Sequence, residues 1–106
     1  MRYKIYHNDQ FIDSTFGTKI LGNTLRQAAV VECTGLDDVF EKTNSIEHPW
    51  TKNPEVISVQ TTRPRSLSAG DFILDEASNK LYLVAACGFR EVTDEEHASF
   101  NFQPAL

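Results

Sequence analysis

Two cysteines and three histidines carry the widest chemical range in this chain of 106 residues. A cysteine or serine nucleophile needs a base within hydrogen-bond reach. His48 stands before a proline and His97 sits in an acidic tail, and neither has a catalytic neighbour pattern. A Cys33–His48 or Cys87–His7 pair stays open, without support from spacing. A zinc site takes about four ligands, usually in close pairs, and these residues are scattered, with no Cys-x-x-Cys motif. Asp37-Asp38, Asp75-Glu76 and Asp94-Glu95-Glu96 read more simply as a helix start, a turn and solvated faces. Phosphate loops, dinucleotide fingerprints and calcium loops are lacking too. No catalytic residue, cofactor-binding residue or metal ligand is therefore assigned.

What remains is a basic entrance. Arg63 and Arg65 flank Pro64. Two guanidinium groups on a stiff proline can grip a phosphate or a carboxylate. The competing reading is a solvated loop with one internal ion pair, to Asp71. Nearby, His48-Pro49-Trp50 holds the only tryptophan. Trp50 reads either as a lid over the core edge or as an anchor for a partner. His48, Trp50, Arg63 and Arg65 are the candidate partner-binding residues. Tyr3, Tyr6 and Phe11 could stack on bases, but with only Arg2 and Lys4 around them they read as core and strand surface.

The elements that must position these groups follow from periodicity. Arg2 to His7 alternates, with Tyr3 and Ile5 on one face and Lys4 and Tyr6 on the other, as in a half-buried strand. Phe11-Ile12 reads as a second short strand, and 16–23 as a glycine-punctuated loop. Gln27 to Cys33 fits strand or helix, and Val30-Val31 before a turn favours strand in its second half. Thr34 can cap a helix from Leu36 to about Asn44, with Asp37 near its positive end and Leu36, Val39, Phe40 and Thr43 on one face. Ile46 to Pro54 reads as a loop that excludes helix, because residues before proline are pushed to extended conformations.

Val56 to Thr62 is strand by composition. Gly70 suits a positive φ, and Asp71 can accept backbone amides and lock the corner into a hairpin. The hairpin arms are Asp71–Asp75 and Lys80–Ala85, followed by a last strand at Gly88–Val92. Thr93 to Glu96 can cap one helical turn. Residues 98–106 either dock through Phe100 and Phe102 or fray. The expected fold is α+β: a small antiparallel sheet or partly closed β-barrel, with one main helix packed on it, as a single domain over 1–106.

Composition bounds the rest. A chain of this length can bury about two-thirds of its unfolded surface. The net charge of -5 favours solubility and weighs against a general nucleic-acid binder. Cys33 and Cys87 each lie beside apolar runs and read as half-buried free thiols, with a disulfide as the minority reading. No signal peptide or membrane-spanning run is expected, so the expected location is cytoplasmic, with no membrane partner.

Leu36-Asp37-Asp38-Val39-Phe40 through Asn44, His48-Pro49, Arg65-Ser66-Leu67-Ser68-Ala69-Gly70-Asp71-Phe72-Ile73, a hairpin, and Gly88-Phe89 through Val92 follow one another in order. Over about Leu36 to Val92 this resembles the YodL-like domains and related small proteins of plasmids, conjugative elements and phages. Ala69 departs from the usual valine, and no catalytic residue carries over. The resemblance implies a phage or mobile-element setting, with a role in counter-defence (anti-restriction or anti-CRISPR-like) or in transfer control. The leading expectation is a non-enzymatic protein that binds a protein partner. The alternatives are a nucleic-acid-associated accessory protein and a small enzyme using Cys33 or Cys87.

Overall fold

The computed structural model describes residues 1–8, 20–44, 49–61, 65–85 and 88–104. The expected strand at Phe11-Ile12 falls outside them, and so does the first half of the loop at 16–23.

The first strand, β1 (Arg2–Asn8), is central. It pairs antiparallel with β2 (Thr24–Glu32) on one side and with β4 (Phe72–Asp75) on the other. Apolar clusters pack on both of its faces, and the half-buried expectation is corrected: Tyr3 and Ile5 belong to one core cluster, and Tyr6 to another. Tyr3 and Tyr6 thus form no common stacking platform.

The uncertain stretch around Gln27–Cys33 lies mostly in β2, a strand throughout. Its register with β1 slips between Ile5 and Tyr6, where Ala29 and then Gln27 are the partners. Ala28 is the extra residue of a bulge. Beyond β4, the hairpin continues into β5 (Lys80–Ala85) and β6 (Gly88–Glu91). Asn79 makes the hairpin turn with φ 59, a conformation that asparagine tolerates better than most residues.

The other edge is β3 (Val56–Val59), shorter than the strand expected from composition. The strand order is β3-β2-β1-β4-β5-β6, an open path rather than a barrel. The tail docks: β7 (Asn101–Gln103) runs parallel to β2 at Thr24–Arg26. Phe102 meets Tyr6 and His97 edge-on, at 5.2 and 5.5 Å.

Both faces of the sheet are covered. On one face, helix α1 (Leu36–Thr43) buries Val39 in one cluster with Ile5, Ala29, Val31 and Ile73, with Leu36 and Phe40 at the margin; Thr43 is buried too. This is the apolar face expected from the sequence. The cap differs: Gly35 takes the N-cap position, and Asp38 reaches back to accept the Thr34 amide at 3.0 Å.

The other face holds Phe72, Leu74, Leu81 and Leu83 under Ile20, Val92 and Phe100. A second helix, α2 (Asp94–Ser99), sits beside them. The loop at 46–54 also holds one 3-10 turn at Trp50–Lys52, starting directly after Pro49. Proline fixes φ suitably for the residue before such a turn, so the exclusion of helix applies only to α-helix.

Candidate functional site

The Arg65-to-Asp71 stretch is a corner locked by a buried carboxylate. Asp71 Oδ2 accepts from Arg65 Nη1 at 2.6 Å and from the Ser68 amide at 2.9 Å. Oδ1 accepts from Arg65 Nη2 at 2.7 Å and from the Asn8 amide at 3.0 Å. Asn8 Nδ2 in turn donates to the Gly70 carbonyl, tying the corner to the end of β1. Gly70 has φ 97, as its place in the turn requires. Leu67 is fully buried in the helix-side core. Arg65, Leu67, Ser68, Gly70 and Asp71 thus each have a structural task, and the internal Arg65–Asp71 ion pair is the reading that holds.

Of the four candidate partner-binding residues, Trp50 and Arg65 are among the described ones. Trp50 is 3% exposed within the core, and its Nε1 donates to the Arg65 carbonyl at 3.0 Å. That is the lid over the core edge, and it corrects the anchor reading. Trp50 and Arg65 are brought together, but as fastening: the Arg65 guanidinium is committed to Asp71. His48 and Arg63 lie outside the described residues.

A second buried carboxylate was not legible as such. Glu96, expected on a solvated face, is fully buried. Both its oxygens receive Arg90, at 3.1 and 3.0 Å, and the Thr93 and Ile20 amides add 2.9 and 2.7 Å bonds. Burial pushes its carboxyl upward, but these donors win and hold it at about 2. The signal was Thr93-x-x-Glu96, a capping box.

Cys33 is a free buried thiol. Burial, and then the neighbouring Asp38 carboxylate, push it up to about 12, so it is protonated at neutral pH and a poor nucleophile. Cys87 lies outside the described residues. Among the described residues, no group of histidine, cysteine and acidic side chains could hold a metal ion, and no helix is long and apolar enough to cross a membrane.

An open pocket of about 190 Å³ lies between α1 and the β5–β6 hairpin, lined by Asp37, Phe40, Val84, Ala85, Gly88 and Phe89. The local rules that build it are simple. Asp37 and Phe40 stand three apart on one helix and share a face. Val84 pairs with Phe89, and Ala85 with Gly88, across the ladder. The Phe40 and Phe89 rings meet edge-on at 6.5 Å, a preferred geometry for aromatic pairs. Gly88 takes φ 96, and a Cβ there would meet nothing within 4 Å.

Asp37 is exposed, and among the described residues its carboxylate has no ion pair or hydrogen bond. Lys42, the lysine of α1, turns instead to Asp38 and Glu55, at 3.4 and 4.0 Å. Sequence reading assigned Asp37 to the helix dipole and Phe40 to the core face. The partner ring, about fifty positions onward at Phe89, has no local signal that links it to them.

The β3 edge also exposes apolar residues, Ile57 at 47% and Val59 at 41%. Its register slips between Val30 and Val31, whose partners are Ser58 and Val56, leaving Ile57 as a bulge. Bulges on edge strands discourage further pairing, so this edge is a weaker docking candidate than the pocket.

No protein-family model, curated protein or solved structure matches this chain.

Proposed function

We propose that this chain is a non-enzymatic binding protein that docks on a protein partner through the face formed by α1 and β6. The observation that carries the reading is the open pocket in which Asp37, unpaired among the described residues, lies beside the Phe40–Phe89 pair. Interface hot spots are small, well-shaped pockets with aromatic walls and a few polar groups. A volume of about 190 Å³ is below the roughly 300–1,000 Å³ of small-molecule sites, and it suits a single side chain.

The wider setting rests on the resemblance over Leu36 to Val92: a phage or mobile-element protein acting in counter-defence or transfer control. The high pKa of the Cys33 thiol weighs against an enzyme built on that residue. The commitment of Arg65 to Asp71 weakens the nucleic-acid alternative.

The test is site-specific photocrosslinking in the cells that express the protein. A photoreactive residue at position 37 is expected to give a discrete adduct that the same group at Lys80, on the β4–β5 hairpin, does not. Equal adduct patterns at both positions, or none at position 37, would reject docking through this face.

A further inference from the structure

We infer that the α1–β6 pocket receives one cationic side chain of the partner, an arginine, seated against Phe40 and Phe89 with its charge on Asp37. The inference rests on the docking proposal above and names the chemistry recognised.

The argument begins with charge. The Asp37 carboxylate has no cation among the described residues, and the nearest cation along the helix, Lys42, is held by Asp38, Glu41 and Glu55. The positive end of the α1 dipole opposes a cation, but two acids, Asp37 and Asp38, stand in its first turn. The net charge of -5 adds a long-range attraction for a basic partner.

Ring chemistry comes next. Two partly buried phenyl rings, Phe40 and Phe89, border the pocket. A cation over an aromatic face is attracted by the ring quadrupole, and arginine is the commoner partner. Its planar guanidinium can stack on a ring while its donors meet a carboxylate, which a lysine ammonium cannot do in the same way. Val84 and the Phe40 and Phe89 rings give the lining an apolar part, which suits the methylene stem of such a side chain. Among the described residues, a Cβ at Gly88 would meet nothing within 4 Å.

The probe is Nα-acetyl-arginine amide, titrated into labelled protein and followed by NMR, with the neutral isostere Nα-acetyl-citrulline amide as control. The arginine probe is expected to shift the amide signals of Asp37, Phe40 and Gly88 saturably, with about fivefold tighter binding than citrulline. Asp37→Asn, an exposed change that spares the core, is expected to erase that preference. Phe89→Leu, which keeps apolar bulk, is expected to weaken the arginine probe more than the citrulline probe. Equal binding of both probes, a preference unchanged in Asp37→Asn, or no shift at these residues would overturn the inference. A crosslink at position 37 without an arginine preference rejects the cation and leaves docking standing. An arginine preference without a crosslink does the reverse.

Discussion

Arg65 and Asp71 face each other as a two-pronged ion pair in which the guanidinium is 43% exposed and the carboxylate 2%. The asymmetry sets what each contributes. Removing the acid leaves the Ser68 and Asn8 amides without their acceptor in a buried corner. Removing the arginine leaves Asp71 with those amides and with water at the vacated surface. Asp71→Ala should therefore cost about 3 kcal/mol, the range for breaking a buried pair. Arg65→Ala should cost about 1–2 kcal/mol, because its half-exposed charge is partly screened. Urea unfolding of both variants checks the order, and a larger loss for Arg65→Ala would contradict it.

Glu96 makes the fold acid-sensitive. Its carboxyl is held at about 2, below the ordinary 4.5. A lowered folded pKa adds stability that is fully present above the unfolded value and is lost as pH falls through the folded one. The loss from this group should fall between about pH 4.5 and pH 2. Glu96→Gln should lower the unfolding midpoint at pH 7 and flatten its decline over that window. A variant as steep as the natural protein would show that other carboxyls dominate.

The Cys33 thiol, pushed up to about 12, should resist alkylation at pH 7. In a Cys87→Ser background, iodoacetamide should leave the folded chain unmodified and label it fully in urea. Rapid labelling of the folded chain would restore Cys33 as a nucleophile.

Two glycines separate backbone need from mere smallness. Gly88 has φ 96 and Gly35 has φ 174, and a Cβ at either meets nothing within 4 Å. Gly88→Ala should cost about 1–2 kcal/mol from the left-handed conformation alone. Gly35→Ala should cost about 0.5 kcal/mol, as a poorer helix cap. Thermal unfolding of the pair tests this, and equal costs would contradict it.

Local patterns made part of this architecture readable. Leu36, Val39, Phe40 and Thr43 announced α1, and Gly70-Asp71 announced the corner and the hairpin. What stayed hidden depends on contacts between distant segments. β1 looks half-buried because Lys4 interrupts its second face, yet a separate core cluster packs on each face. Thr93 to Glu96 looked like a solvated acidic turn because Arg90 and the Ile20 amide, which bury Glu96, carry no mark of that role. Trp50 carries two readings in the sequence because the bond from its indole to the Arg65 carbonyl joins residues fifteen apart with no local signal. The pocket is hidden for the same reason: it joins a helix turn to a strand pair half a chain away.

The central claim is that contact lies at the α1–β6 face while the Arg65 corner holds the fold. It is tested most directly by measuring the affinity of the partner captured at position 37 for three purified proteins: the natural chain, Asp37→Lys and Arg65→Lys. Asp37→Lys should bind at least about tenfold more weakly, as expected for a charge reversal at a contact, with its unfolding midpoint little changed. Arg65→Lys should bind like the natural chain and unfold more easily. An Asp37→Lys protein that binds normally, or an Arg65→Lys protein that loses as much affinity, would contradict the account.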